Sequence, residues 1–322
     1  MAADTIFVQI AAFRDPEYMP TVHSMFSRAV HPENIRLGAV LQYDWKADAD
    51  CFKMAYPPGL KVDEIKVDAV DSGGVCWARN LCQGLYQGER FTLQLDSHMR
   101  FIQGWDVQLL EMWRSIKNRK AIITHYAPNY EPSGGRVRDT FSGMGARIWK
   151  KGTLWYQHAP VYKVTEPPEK PLVTAFASGH FLFGPGSLVT DVPYDPYLER
   201  HGEESSLAVR LWTHGYDLFG PNKVIMWHRA SQVRPMDHQV IPGYEQRVEL
   251  SAKRCQVLLN RLECDDPTVT QDLEKYGLGD VRTLREYEEW SGVDFKNQTF
   301  SEDAKLGLFK PFKRKKPVNL ES

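Results

Sequence analysis

Two side chains able to hold a divalent cation stand two positions apart at the end of an apolar run, Phe91-Thr-Leu-Gln-Leu-Asp96-Ser97-His98. Alternate residues of a strand point the same way, so the Asp96 carboxylate and the His98 imidazole converge at its end. A mixed oxygen and nitrogen pair at an open site suits Mn²⁺ or Mg²⁺, ions that also grip a diphosphate. Asp-x-His recurs by chance in many chains, so the triplet gains meaning only from what surrounds it.

Seventeen positions before Asp96, Cys76-Trp77-Ala78-Arg79-Asn80 opens a helix that feeds the strand. Arg79 reads either as a bidentate donor reaching a nucleotide diphosphate or as an ordinary surface arginine. Just after the triplet, Phe101-Ile-Gln-Gly104-Trp105-Asp106 supplies a turn and a helix start, with Asp106 as a cap. The second half of the chain adds Ala177-Ser178-Gly179-His180, Pro193-Tyr194-Asp195-Pro196 and His201-Gly202-Glu203-Glu204. The glutamate pair opens a helical pattern, where carboxylates are electrostatically favoured as caps; the other reading makes one of them a contact to a sugar or an acceptor hydroxyl. A last strand closes on Ile225-Met226-Trp227-His228. Asp96 and His98 alone leave a cation under-coordinated, and His228 is the missing third ligand if it is not simply structural.

These residues need elements that bring distant segments to one edge. Strand-like runs at Ile6–Ala11, Ile35–Gln42, Leu60–Val67, Phe91–Leu95 and Ala121–Thr124 alternate with helical stretches through Met25, over Gly73–Leu85 and over Gly104–Ile116. The alternation predicts an α/β fold with a mainly parallel, helix-covered sheet, and ligands on such sheets bind beyond the carboxyl ends of the strands. Residues 1–242 form the catalytic domain on this reading. Within it, the Pro- and Gly-rich stretch 128–171 is expected to be an irregular acceptor-side insertion, with strand-like pieces at Gly145–Trp149 and Thr153–Tyr156. Phe176–Phe183, Tyr216–Phe219 and Lys223–Trp227 read as later strands. Residues 243–300 read as a helical extension with a charged linker at Glu263–Asp266. Residues 301–322 read as a basic tail, either disordered or in contact with an anionic membrane surface through Lys305–Pro317.

The bulk numbers set limits. The chain has 322 residues, 42% of them hydrophobic, enough for one large domain and a small appendage. With 40 basic and 41 acidic side chains the net charge is −1, so no field gathers nucleic acid. Five cysteines show no CxxC and no disulfide framework, which fits a reducing compartment. Cys76 and Cys82 read as helix packing. The sequence shows neither a signal-peptide pattern nor a run of eighteen apolar residues, and a cytoplasmic enzyme is expected, peripheral at most at the inner membrane face.

Ala78-Arg79-Asn80, Leu95-Asp96-Ser97-His98 and Gly104-Trp105 together resemble the core of GT-A glycosyltransferases. The Asp-x-His variant is similar to that of polypeptide N-acetylgalactosaminyltransferases, as are Gly202-Glu203-Glu204, Arg210-Leu211-Trp212, Gly215 and His228. The opening Ile6-Phe-Val-Gln-Ile-Ala-Ala-Phe-Arg14-Asp15-Pro16 resembles the hydroxyproline and polysaccharide N-acetylglucosaminyltransferase family of cytoplasmic type. So do Tyr276-Gly-Leu-Gly279, Arg282-Thr283-Leu284 and Tyr287 to Phe295. The resemblance implies Mn²⁺ (or Mg²⁺) on Asp96, His98 and His228. It implies a UDP-GlcNAc donor near Arg14, Asp71, Arg79, Asp96 and Ser97, and Gly179 with Glu203 or Glu204 near the sugar and acceptor. It also implies retention, hence an α linkage, by same-face attack in which the donor diphosphate assists deprotonation. The acceptor stays open between a protein hydroxyl and a glycan. A nucleotide-sugar hydrolase and a non-catalytic sugar- or peptide-binding relative are the alternatives.

Overall fold

The computed structural model describes residues 3–131, 140–199, 202–229 and 241–314. The first half runs β1 (Ile6–Phe13), α1 (Tyr18–Ser27), β2 (Ile35–Tyr43), β3 (Lys61–Asp68), α2 (Val75–Gln83) and β4 (Phe91–Leu95). It continues through β5 (Met99–Phe101), α3 (Trp105–Ser115), β6 (Ala121–Thr124) and β7 (Asn129–Tyr130). Then come β8 (Thr140–Lys150), β9 (Thr153–Lys163), β10 (Leu172–Thr174), β11 (Phe181–Pro185), α4 (Leu188–Asp191) and α5 (Glu203–Thr213). The chain goes on through β12 (Asp217–Gly220), β13 (Met226–Arg229), α6 (Tyr244–Leu258), α7 (Pro267–Thr270) and α8 (Leu273–Tyr276). It closes with α9 (Leu284–Ser291), β14 (Val293–Asp294), β15 (Thr299–Phe300) and α10 (Glu302–Leu306).

The central sheet has eight strands in the order β10-β12-β6-β11-β4-β1-β2-β3. Its strands share one direction except β11 and β10, which run opposite to their neighbours. Strands covered on both faces are buried nearly throughout and mostly apolar, and β1, β2 and β4 are so, with Gln9, Arg36, Gln42, Thr92 and Gln94 as the polar interruptions. The expected α/β sheet is therefore present. One apolar core packs α1 and α3 on β1, β2 and β4 around Val8, Leu37, Leu93 and Trp105. A second gathers around Trp212 of α5 and includes Phe176, Cys255, Tyr287 and Phe295.

A three-stranded sheet, β5-β13-β7, sets the site. Its register puts His228 opposite Met99, and the Arg229 amide donates to the His98 carbonyl at 3.0 Å. A residue far along the chain is thereby laid beside the Asp96–His98 corner.

Three expectations need correction. Within 128–171, β8 and β9 form a long antiparallel hairpin instead of an irregular insertion. Its tight turn places Lys151 and Gly152 at positive φ, the backbone twist that suits a two-residue hairpin. The glycines that suggested irregularity serve local contacts. Gly143 sits at a register shift with its Cβ direction against the Ala159 carbonyl, and Gly145 lies directly under the Lys305 carbonyl. Residues 132–139 lie outside the described residues. The strand expected at Phe176–Phe183 begins only at Phe181, and 175–180 is the loop that carries Gly179. The tail is ordered from Ser301 to Arg314: α10 packs on the hairpin, and Phe309 and Phe312 pack on Phe176, Trp212 and Trp290. Arg314 pairs with Glu286 at 2.8 Å. Lys315, Lys316 and Pro317 lie outside the described residues.

Candidate active site

The chain leaves β4 at Leu95 and turns at once, so that Asp96 and His98 face the same space. His98 Nε2 and His228 Nε2 stand 3.0 Å apart, and Asp96 Oδ2 lies 3.8 Å from the first and 3.5 Å from the second. These three donors lie within 4.8 Å of one another. Two ring nitrogens at 3.0 Å repel unless a proton or a cation sits between them. A carboxylate with two imidazole nitrogens is a donor set for a divalent ion of the Mn²⁺ class. His98 is oriented from behind by Asp15, whose Oδ2 accepts from Nδ1 at 2.7 Å, the carboxylate–imidazole pairing typical of ligating histidines. The residues fit the expected cation.

Charge at this corner is strongly arranged. Burial pushes the Asp96 carboxyl up, but the hydrogen bond from His228 and the charges of Arg79 and His98 hold it well below the usual carboxylate range. For His98, burial favours the neutral ring, yet the Asp15 hydrogen bond and the charge of Asp96 raise its pKa.

The second corner is built on α2, the 175–180 loop and the start of α5. Arg79 lies buried and joins the two corners: Nη2 donates to Asp96 Oδ1 at 2.9 Å, and Nη1 is paired with Glu203. Tyr194 donates to the same Glu203 oxygen at 3.0 Å and lies under the guanidinium. Glu203 is thus engaged in holding Arg79. Glu204 has a different setting. Its Oε1 accepts from the Gly179 amide at 2.9 Å and its Oε2 accepts from the Tyr126 hydroxyl. Burial, with the neighbouring Glu203 charge, raises its pKa to about 7 despite those two donors. Gly179 has no room for a side chain, because a Cβ there would stand 2.5 Å from Glu203 Oε1 and 2.8 Å from Arg79 Nη1. Its carbonyl accepts from Gln94 at 2.7 Å.

Of the residues singled out in the sequence, Asp96, His98, His228, Arg79, Gly179, Glu203 and Glu204 are joined by these contacts. The Ser97 hydroxyl, between Asp96 and His98 in the chain, donates to Asp15 at 2.5 Å. Arg14 stands at the end of β1 at positive φ, its guanidinium on Asp48 at 2.8 Å. Asp71 is exposed in the turn before α2 and has no side-chain hydrogen bond to the cluster. Asp106 does not cap its own helix; its carboxylate accepts the Val30 and His31 amides and staples the turn before β2. Asp195 pairs with the buried Arg254 of α6 at 2.7 Å and is an anchor for that helix. His201 lies outside the described residues. Tyr126, Tyr194, Asp15 and His180 had no role in the sequence reading, although Asp15, Tyr194 and His180 all fall inside motifs quoted there.

A curated relative, the putative polypeptide N-acetylgalactosaminyltransferase 13 of Drosophila melanogaster, is 30% identical over 148 residues, which is 44% of this chain and 25% of that protein. The structure of GalNAc-T7 with UDP, GalNAc and Mn²⁺ aligns with a TM-score of 0.56 at 15% identity, over 88% of this chain and 56% of the other. S. aureus TarS with UDP-GlcNAc aligns at a TM-score of 0.48 and 12% identity, over 84% of this chain and 71% of the other. The chain spans about a quarter of the curated relative and little more than half of GalNAc-T7. The fold is that of GT-A glycosyltransferases. The family model described as Glycosyltransferase (GlcNAc) matches residues 5–58 and 53–297, nearly all of the described chain, and the protein belongs to that family.

Proposed function

We propose that the protein transfers N-acetylglucosamine from UDP-GlcNAc, in α linkage and with retention, to a hydroxyl on a glycan or a protein. The observation that carries this is the meeting of Asp96, His98 and His228 at the carboxyl end of β4, joined through Arg79 to Glu203. The family and the α/β fold support glycosyl transfer, and the family's description supports GlcNAc as the sugar.

Asp96, His98 and His228 would hold a divalent cation such as Mn²⁺, which would supply positive charge against a donor diphosphate. The chain's own residues do the rest. Arg79, buried between two carboxylates, fixes the distance between the cation corner and the sugar corner. Gly179 lets backbone approach closely where any side chain would displace Glu203. Glu204, with a pKa near neutrality, accepts or donates a hydrogen bond to an incoming hydroxyl without a full buried charge. Arg14, Asp71 and Ser97 are placed in this reading at the nucleotide end. The hairpin β8–β9 borders Tyr126 through His158, whose ring meets it at 5.6 Å, and forms the acceptor side. Among the described residues no helix is long and apolar enough to cross a membrane. We place the enzyme in the cytoplasm, with Lys305, Lys310 and Lys313 as a peripheral contact to anionic lipid.

Incubation with a panel of UDP-sugars and Mn²⁺, with and without acceptor hydroxyls, tests the proposal through UDP release. Release from UDP-GlcNAc that rises with acceptor is expected. Release at one rate regardless of acceptor would mark a hydrolase, and no release from any UDP-sugar would mark a binding protein.

A further inference from the structure

One ring between the two corners has no task so far. His180 stacks on His228, with ring centroids 4.6 Å apart and planes 29° apart, and stacks on Tyr126 at 5.4 Å and 17°. His228 in turn meets His98 edge-on at 4.7 Å. Four rings therefore connect Tyr126, which holds Glu204, with the two imidazoles of the cation corner.

The orientation of His180 is fixed by hydrogen bonds. The Ala127 amide donates to Nε2 at 2.9 Å, so that nitrogen carries the lone pair and Nδ1 carries the proton. Nδ1 faces the Ser178 hydroxyl at 3.1 Å. With its lone pair engaged by a backbone amide, His180 is not a fourth ligand. The contrast between the two ligating rings shows what it does. His98 is held from behind by Asp15 at Nδ1. His228 has no such hydrogen bond among the described residues, its side-chain polar neighbours being Asp96 and His98 on the cation side. Hydrogen-bonded groups that orient a ligating imidazole change metal affinity by roughly 10- to 100-fold, and His228 has instead the His180 ring stacked on its face.

We propose that His180 is a positioning residue: its ring, clamped by Ala127 and Ser178, sets the plane of His228 and ties the cation corner to the Tyr126–Glu204 corner. The role rests on the cation reading given above. It is tested by Mn²⁺ binding to the full chain, followed by the electron paramagnetic resonance signal of free Mn²⁺ with and without UDP, with folding checked by thermal unfolding. His180→Leu keeps comparable bulk but no ring and should weaken Mn²⁺ binding roughly 10-fold or more. His180→Phe keeps the stacked ring but loses the hydrogen bonds of Ala127 and Ser178, and its Mn²⁺ affinity should fall between those of the wild type and the Leu variant. Wild-type affinity in the Leu variant overturns the proposal. A folded Phe variant that binds Mn²⁺ no better than the Leu variant overturns it as well. A wild-type protein that binds no Mn²⁺ removes the cation corner itself and this role with it, a result distinct from normal binding that ignores position 180.

Discussion

Two carboxylates stand at opposite corners of the site, and their surroundings drive them in opposite directions. Asp96 faces two imidazoles and the Arg79 guanidinium, and its proton is lost far below neutrality. Glu204 faces a phenol, a backbone amide and a second carboxylate, and its pKa rises to about 7. Both are partly withdrawn from water. What differs is the sign of the nearest charges, which decides whether burial is overcome. The first corner keeps a charged carboxylate beside two imidazoles, as the proposed cation site requires. The second keeps a carboxyl that is close to neutral and still forms hydrogen bonds.

Substitution at the first corner has the largest expected effect. Asp96→Asn removes one cation donor and also one of the two carboxylates on buried Arg79. UDP release should fall by about 10³-fold, since breaking a buried pair costs roughly 3–5 kcal/mol and the cation donor is lost as well. Initial rates over a Mn²⁺ series measure it; a fall under about tenfold would separate Asp96 from the cation.

At the second corner, Glu204→Gln tests the raised pKa. A carboxyl with a folded pKa near 7 and an unfolded value near 4.5 retains its proton in the folded state while the unfolded chain loses it. Its stability contribution is fully present below about 4.5 and is lost as pH rises through 7. The groups facing it are Glu203, Tyr126 and, one contact further, Arg79. The difference is on the order of 3 kcal/mol. Denaturant midpoints from pH 4.5 to 8 should fall more steeply for the wild type than for the Gln variant. Parallel curves would place Glu204 among ordinary carboxylates.

Gly179→Ala sharpens the comparison because it strikes the link between corners. The new methyl would collide with Glu203 and Arg79. Activity should drop by about 10²-fold, as small misplacements at a reacting centre do, with a stability loss of about 1–3 kcal/mol. Rate and melting temperature measured together separate the two losses.

Away from both corners, Phe309→Ala should cost about 2 kcal/mol through lost packing on Phe176 and Trp290, with the Mn²⁺ requirement unchanged. A raised Mn²⁺ requirement in that variant would mean the C-terminal strap supports the site and not only the core. The smallest effect is expected for Lys310→Glu and Lys313→Glu, which should weaken sedimentation with anionic vesicles by roughly 1 kcal/mol each. Equal sedimentation would end the membrane reading. Phe309 and Phe312 face the core, so charge alone would carry that contact.

The cation corner was legible because its chemistry is written in residue types: an aspartate and two histidines, each at a strand end, have few other tasks in common. The parallel sheet was legible from apolar runs alternating with helical periods. The second corner was half legible. Glu203 and Glu204 are adjacent and look equivalent in sequence, yet the roughly 100° rotation between successive helical positions gives the first to Arg79 and Tyr194 and the second to Tyr126 and Gly179. That division depends on where β6 and the 175–180 loop end. Of the hairpin only the strand pieces Gly145–Trp149 and Thr153–Tyr156 are legible, because Gly143, Gly145, Gly152 and Pro160 look like loop punctuation, whereas they mark a register shift, a turn and a close approach of α10. Phe309 and Phe312 were overshadowed by the lysines around them, although two aromatics in a basic tail are a packing signal.

The central claim is that Asp96, His98 and His228 form one cation site serving a nucleotide sugar. It is tested most directly by Mn²⁺-dependent UDP release from UDP-GlcNAc, titrated side by side in wild type and His228→Ala. The account predicts a wild type inactive without divalent ion and a variant that needs at least about tenfold more Mn²⁺ or shows no release. Identical Mn²⁺ curves for the two proteins would contradict it.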